Sequence, residues 1–271
     1  MDEERHRPPK AFHNEDFLDH PTARPIRILS EYLEPQKRFE EQRIKDTILF
    51  FGSARTISRE QALAELESAN GGEGDIDRAN IRLEMSRYYE EIRDLAARLT
   101  EWSKGLKGRG RRFVVCSGGG PGIMEAANRG FSEAKGENIG LCISLPFETS
   151  NNPYITRKLA FEFHYFFMRK YWFLYLAKAM VIMPGGFGML DELMEALTPI
   201  QTHKMVKPMP IVLYGSDYWD KVINFEAMVK YGLIDAADVD LFHPSDNVED
   251  AFEYITTELG KYALDRPGAK L

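Results

Sequence analysis

The stretch VIMPGGFGMLDEL, residues 181–193, joins a short apolar run to a helix-like segment through three glycines. The apolar run has the length of a buried strand, and the residues after Gly188 repeat apolar side chains at helical spacing. A second stretch, FVVCSGGGPGIME at residues 113–125, has the same design. Both stretches therefore predict a strand, a glycine turn and a helix in succession.

The order of such segments along the chain predicts an α/β fold. Strands alternate with helices from residue 47 onward, which favours a Rossmann-like, open, mostly parallel sheet with helices on both faces. The predicted strands are Thr47–Phe51, Phe113–Cys116, Ile139–Leu145, Met180–Met183 and Pro210–Tyr214. The predicted helices cover about 58–104 with a break at Gly71–Gly74, start at Pro121 and at Met189, and span Phe161–Ala179, 217–231 and 248–263.

The beginning of the chain differs from this pattern. Residues 1–45 are polar and proline-containing at first, then charged and helix-compatible after Pro35. This composition predicts an N-terminal arm, with residues 46–271 as a single domain.

Composition excludes several classes of protein. The chain has 271 residues, a formal net charge of -7 and a pI near 5.5, so it lacks the basic field that attracts a nucleic-acid polymer. No run reaches the ~18 to 20 apolar residues of a membrane span, and the first residues lack a signal peptide's apolar part. We therefore expect a cytoplasmic protein. Cys116 and Cys142 lie in apolar runs without neighbouring ligand residues, which predicts buried free thiols and no metal site.

The two glycine loops are candidate phosphate sites. Each falls where a strand ends and a helix begins, so unpaired N–H groups and the positive end of a helix dipole converge there. Glycine also lets the main chain approach an anion closely. Neither loop has the lysine of a triphosphate loop or the dinucleotide spacing, which favours a nucleotide monophosphate. Tight turns without a ligand are the alternative interpretation of either loop.

Charged residues stand on both sides of the second loop. Asp191 and Glu192 open the predicted helix, where they either complement its dipole or bring a carboxylate to a bound phosphosugar. Upstream, Arg169 and Lys170 lie in an aromatic segment that must bury one side. A buried Arg169 requires an ionic partner or an anionic ligand.

These residues together resemble the signature of the Lonely Guy (LOG) family, an Arg-Lys pair followed later by Pro-Gly-Gly-x-Gly-Thr-x-x-Glu. The resemblance covers roughly residues 47–260. The similar residues are Met168–Lys170, Pro184–Glu192, Phe51–Ser53, Gly118–Met124, Gln201, His203, Lys207 and Pro208. It implies a homodimer or an assembly of dimers, no cofactor or metal, and hydrolysis of the N-glycosidic bond of a nucleoside 5′-monophosphate. The implied substrates are AMP or a cytokinin riboside monophosphate, and the products are the free base and ribose 5-phosphate.

Carried over by position, the resemblance implies that Arg169 and Glu192 form the catalytic pair. It implies substrate- or phosphate-binding roles for Gly52, Ser53, Gly118, Gly119, Gly120, Gly122, Met124, Lys170, Pro184, Gly185, Gly186, Phe187, Gly188, Met189, Asp191 and Thr198. Met189 stands where the family has threonine, so a hydroxyl donor is missing, although the Met189 N–H is expected to remain available to phosphate. A non-catalytic nucleotide-binding protein of the same fold is therefore the alternative.

Two further points concern the family. The arm and a helical insert at about 56–85 make this chain longer than the compact members of the family. We expect these two segments to modify assembly or to cover the site. Many relatives carry the label lysine decarboxylase. A pyridoxal-phosphate decarboxylase needs a Schiff-base lysine and an acid partner for the pyridinium nitrogen, a combination that the sequence does not show.

Overall fold

The protein is built on a seven-stranded sheet, seen in a computed structural model that describes residues 8–72, 74–106, 110–144 and 151–268. The strands are β1 Thr47–Phe51, β2 Val114–Ser117, β3 Ile139–Ile143, β4 Ala160–Phe163, β5 Ala177–Ile182, β6 Ile211–Tyr214 and β7 His243–Ser245. Their spatial order is β4-β3-β2-β1-β5-β6-β7, and each neighbouring pair of these strands is parallel. The predicted α/β, Rossmann-like fold class is confirmed.

Helices cover the sheet. They are α1 Glu15–Asp19, α2 Arg24–Glu41, α3 Arg59–Asn70, α4 Ile76–Lys104, α5 Ile123–Glu133, α6 Phe166–Leu176, α7 Phe187–Gln201, α8 Ser216–Val222, α9 Phe225–Lys230 and α10 Val248–Tyr262. Short 3-10 helices occupy Ala11–His13, Pro21–Ala23, Arg157–Leu159 and Ala236–Leu241. All five residues of β1 are buried, and successive strand residues point to opposite faces, so both faces of the sheet are covered.

The strand order creates a crevice at the centre of the sheet. From β1 the chain moves outward through β2, β3 and β4, and then returns to the other side of β1 as β5. In open parallel sheets, ligands bind beyond the carboxyl ends of the strands where the order reverses. The loops after β1, β2 and β5 meet at this place, and they contain most of the predicted site residues.

The predicted helix Phe161–Ala179 is wrong at both ends. Ala160–Phe163 is strand β4, which pairs with β3, and α6 ends at Leu176, where β5 begins. The segment is apolar almost throughout, so its periodicity does not separate a buried strand from a buried helix.

Other element boundaries also differ from expectation. The predicted helix over 217–231 is two helices, because the Asn224 side chain caps the start of α9 at Ala227. The edge strand β7 was not predicted, since it has three residues and contains Pro244. The predicted end of the third strand at Leu145 lies outside the described residues.

The N-terminal segment packs on the body of the protein. Helix α2 contacts α6, and Phe39 near its end is buried, with its ring centroid 4.8 Å from Phe161 and 5.4 Å from Trp172. The division into an arm, 1–45, and one domain with a helical insert stays a prediction.

The contact between α4 and α5 fixes the helix that follows the first glycine loop. A Cβ atom on Gly130 would lie 2.8 Å from the carbonyl carbon of Arg93 and closer still to its oxygen. We expect Gly130→Ala to lower the free energy of unfolding by about 1–3 kcal/mol, because two backbones must separate. The matched control is Gly260→Ala in α10, where a Cβ meets nothing within 4 Å and a gain of about 0.5 kcal/mol is expected. Urea unfolding measures both, and equal effects at the two sites would contradict this account of the helix contact.

Candidate active site

Ser53 connects the three loops at the carboxyl edge of the sheet. Its N–H donates to the Pro184 carbonyl over 3.1 Å, and its own carbonyl accepts from the Ile123 N–H, also over 3.1 Å. The loop after β1 is therefore hydrogen-bonded to both glycine loops.

Glycine is required where these loops touch. Gly122 has φ +73°, and a Cβ there would lie 2.7 Å from the carbonyl carbon of Ala54. A Cβ on Gly185 would lie 2.5 Å from the Met189 Cγ atom and 3.2 Å from the Ser53 nitrogen. The glycines thus permit close packing of the loops on one another, in addition to any approach to a ligand.

The back of the first glycine loop is held by amide side chains. Asn152 donates from Nδ2 to the carbonyls of Gly119 and Gly120 over 3.1 and 3.0 Å. The Gly119 N–H donates to the Ser117 hydroxyl over 3.1 Å. Gly119 and Gly120 are buried, so they shape the loop from behind.

The loops surround a cavity of about 870 Å³. The predicted site residues in its wall are Gly52, Ser53, Gly118, Met124, Arg169, Pro184, Gly185, Gly186, Phe187, Gly188, Met189 and Glu192. The predicted residues outside the wall are Gly119, Gly120, Gly122, Lys170, Asp191 and Thr198. The structure therefore brings both members of the predicted catalytic pair to one cavity.

Glu192 is a buried carboxylate in that wall. Its side chain is 9% exposed, and Oε1 lies 3.5 Å from Nη2 of Arg169. Burial raises the pKa of Glu192 to about 7, although the positive charges of Arg169 and Lys170 oppose the rise. The group therefore changes charge near neutral pH, as a residue that exchanges protons with a substrate does.

Arg169 has the ionic partner that the sequence required, and it also contacts aromatic rings. Its guanidinium carbon lies 5.2 Å from the Phe166 ring and 5.4 Å from the Phe173 ring. These contacts orient the cation toward the cavity next to Glu192.

Lys170 forms a second link between α6 and α7. Its Nζ lies 2.7 Å from Oδ2 of Asp191 and 2.6 Å from Oε2 of Glu195. Burial lowers the pKa of Lys170, but the bonds to these two carboxylates outweigh it, and the net shift is upward. Two adjacent cations of α6 thus pair with three carboxylates of α7 and fix one helix to the other.

The N-terminus of α7 presents N–H groups to the cavity. First-turn N–H groups have no acceptor within a helix, and no side chain caps the N-cap residue Gly186. The expectation for the Met189 N–H is corrected, because it donates to the Gly186 carbonyl over 3.0 Å. The N–H groups of Phe187 and Gly188 have no acceptor within the helix by their place in its first turn, and both residues line the cavity.

Sequence reasoning did not assign nine residues of the cavity wall to the site. They are Ala54, Arg55, Met85, Phe166, Phe173, Tyr218 and Val222, together with the strand end Phe51 and Leu190. Tyr218 has a defined function in the wall, since its hydroxyl donates to the Gly185 carbonyl over 2.6 Å and so fixes the second glycine loop. Its position shortly after β6 was a usable signal, because the carboxyl ends of β5 and β6 are adjacent.

Two absences within the described ranges bear on the chemistry and the location of the site. They contain no cluster of three or more His, Cys, Asp or Glu side chains suited to a metal ion. None of the helices in those ranges combines the length and apolar character needed to cross a membrane.

Comparison with known proteins shows what this chain is similar to. A family model described as possible lysine decarboxylase matches residues 124–255. A curated protein of Oryza sativa subsp. japonica, probable cytokinin riboside 5′-monophosphate phosphoribohydrolase LOG4, is 27% identical over 145 residues. That match covers 53% of this chain and 62% of the rice protein, which is less than two thirds of its length.

Two solved structures are also similar. The X-ray structure of the structural-genomics target TM1055 is 20% identical, with a TM-score of 0.47, and the match covers 78% of this chain and 99% of that one. The Moco carrier protein of Chlamydomonas reinhardtii is 17% identical, with a TM-score of 0.46, over 80% of this chain and 99% of that one. The family model spans just under half of this chain, and over that part the chain is similar to the LOG family named in the rice protein.

The burial of Glu192 has a measurable effect on stability. Its pKa is raised in the folded state, so its contribution to stability is complete below about pH 4.5 and is lost as the pH rises through about 7. We expect Glu192→Gln, which resembles the protonated side chain, to be more stable than the parent at pH 8, by on the order of 3 kcal/mol. At pH 4.5 Glu192 is protonated in the folded protein. The stability advantage of Glu192→Gln over the parent should therefore be smaller than at pH 8, by on the order of 3 kcal/mol.

Urea unfolding between pH 4.5 and 8 measures this difference. Glu253→Gln, an exposed carboxylate on α10, controls for the loss of one negative charge. A Glu192→Gln protein whose stability follows that of the parent at all pH values would show that the carboxylate is solvated.

Proposed function

We propose that this protein hydrolyses the N-glycosidic bond of a nucleoside 5′-monophosphate and releases the free base and ribose 5-phosphate. The observation that carries the proposal is the buried Glu192 carboxylate, 3.5 Å from Arg169, in the wall of a cavity lined by the two glycine loops and the loop after β1. The activity in the name of the rice relative is of the same kind.

The glycine loops hold the phosphate in this proposal. The N–H groups of Phe187 and Gly188 and the positive end of the α7 dipole attract the dianion. Arg55, in the same wall, adds a cation. Binding energy from the phosphate then positions the reacting bond, which lies several atoms away.

Glu192 acts on the sugar. In glycosidic cleavage the transition state resembles an oxocarbenium ion, so a carboxylate next to the anomeric carbon stabilises it. The C1′–N bond breaks, the base leaves with the bonding electrons and gains a proton, and water supplies a hydroxyl to C1′. Glu192 orients the ribose hydroxyls or the attacking water, and Arg169 holds the carboxylate and contacts the nucleotide.

The lysine decarboxylase label of the family model has less support. A Schiff-base lysine must reach the cofactor in the active site. Lys170 instead binds two carboxylates of α7, and Lys207 donates from Nζ to the carbonyls of Leu174 and Tyr175 over 2.6 and 3.0 Å. Both amino groups are therefore engaged in holding α6, and neither lysine lies in the cavity wall.

We also propose that the chain forms a homodimer through the aromatic surface beside the cavity. Phe166, Phe167 and Phe187 are 48%, 54% and 93% exposed there. Exposed apolar area of this kind is typical of surfaces that bind another protein.

The dimer is tested by sedimentation at micromolar concentrations. We expect Phe167→Glu to sediment as a monomer, because a charge in an apolar interface stays unpaired. Tyr231→Glu, 74% exposed, is the matched control and should leave the dimer intact. A parent protein that sediments as a monomer at all concentrations would refute the proposed assembly.

The activity is tested by incubating the protein with AMP and with other nucleoside monophosphates, and detecting the free base by chromatography. We expect Glu192→Ala and Arg169→Ala each to lower kcat by on the order of 10²-fold or more, because each removes a charge at the reacting centre. Glu253→Gln should retain full activity. If the parent binds AMP tightly but releases no adenine, the alternative holds, a non-catalytic nucleotide-binding protein with Met189 in place of the threonine hydroxyl.

A further inference from the structure

Helix α6, which carries Arg169, receives its N-terminal cap from the N-terminal segment of the chain. Glu31 of α2 accepts from the His164 N–H through Oε1 over 2.8 Å and from the Tyr165 N–H through Oε2 over 3.2 Å. Tyr165 is the N-cap residue of α6, and its own side chain makes no capping bond. One carboxylate, 133 residues earlier in the chain, thus satisfies two N–H groups at the helix start.

The sign of the charge suits that position. The N-terminus of a helix is its positive end, so a carboxylate there stabilises the helix and fixes its start. At the other end of α6, Lys207 donates to the Leu174 and Tyr175 carbonyls. Burial lowers the pKa of Lys207 to about 7, so its hydrogen bonds rather than a full positive charge hold that end. Both ends of α6 are therefore held by side chains of other elements.

A short path of hydrogen bonds joins Glu31 to Arg169. The carboxylate of Glu31 holds the N–H of Tyr165, and the carbonyl of Tyr165 accepts from the Arg169 N–H over 3.2 Å. A shift of the first turn of α6 would therefore move the backbone of Arg169 directly. Its guanidinium would then move relative to Glu192.

We propose that Glu31 is a positioning residue that sets the placement of Arg169 against Glu192, and that the arm helix α2 is thereby part of the catalytic apparatus. The proposal rests on the hydrolase function proposed above. It assigns the arm a role in placing the site's cation, beyond assembly or covering of the site.

We expect the arm to stay docked when Glu31 is changed, because other residues of α2 also contact the body of the protein. Arg38 donates to the Ala160 carbonyl over 2.8 Å and stacks on Phe161 at 3.8 Å. Phe39 packs on Phe161 and Trp172. These contacts are independent of the Glu31 carboxylate.

The experiment compares Glu31→Ala and Glu31→Gln with Glu41→Ala in the full-length protein. Glu41 lies on the same helix and pairs with the exposed Lys37, so it controls for the loss of a carboxylate from α2. We expect Glu31→Ala to lower kcat for base release about tenfold, with KM changed less than about twofold, because a small misplacement of a catalytic group acts on the transition state. Glu31→Gln retains one acceptor oxygen, so its kcat should lie between those of Glu31→Ala and the parent. The kcat of Glu41→Ala should equal that of the parent.

A double-mutant cycle separates positioning from a general loss of stability. If Glu31 acts through Arg169, the change Glu31→Ala should have no further effect on kcat in an Arg169→Ala background. The same tenfold loss in both backgrounds would overturn the proposal. So would full activity of Glu31→Ala.

A second measurement tests the proposal without catalysis. The charged groups that act on Glu192 are Arg169, Lys170, Glu195 and Asp191, and of these Arg169 lowers its pKa most. If Glu31→Ala displaces Arg169, the pKa of Glu192 rises further, and the free energy of unfolding should fall over a higher pH range than in the parent. Glu41→Ala should show no such shift. If the parent releases no base from any nucleotide while this shift occurs, the hydrolase proposal fails and the positioning holds. If the range is unchanged, the positioning proposal fails.

Discussion

Two main-chain hydrogen bonds of Ser53 hold the candidate site together. Through them the loop after the central strand is joined to Pro184 on one side and to Ile123 on the other. Backbone bonds of this kind require close approach, and Gly122 and Gly185 permit it. A Cβ atom on Gly122 would collide with the backbone of Ser53 and Ala54, and one on Gly185 would collide with the Met189 side chain and crowd the Ser53 nitrogen. The glycines of this family signature therefore serve the packing of three loops as well as the approach of an anion.

The site keeps a carboxylate where water is largely excluded. The pKa of Glu192 rises to about 7 because burial outweighs the attraction of Arg169 and Lys170. Such a group lowers the stability of the fold at neutral pH, and a protein retains it when the carboxylate has a function. The ion pairs of Lys170 with Asp191 and Glu195 offset part of this loss of stability. They also keep α6 and α7 fixed around Arg169 and Glu192.

Much of the fold, and part of the candidate site, could be predicted from the spacing of apolar residues and glycines in the sequence. The glycine stretches predicted two strand-turn-helix units correctly, and the cavity wall contains Glu192 from the second unit together with Arg169 from α6. The segment around Phe161 was mistaken for helix because an apolar run has no decisive period. The position of Tyr218 after β6 placed it near the site, but its bond to Gly185 and the bonds of Glu31 were not predictable, since each joins residues far apart in sequence and depends on the path of the folded chain.

The strand order also bears on synthesis of the protein. The central strand β1 ends at Phe51, but its neighbour β5 begins only at Ala177, long after β2 has been made. At ribosomal speeds this interval lasts on the order of ten seconds. During that time one edge of β1 has no native partner, so the nascent chain exposes an apolar strand at its centre.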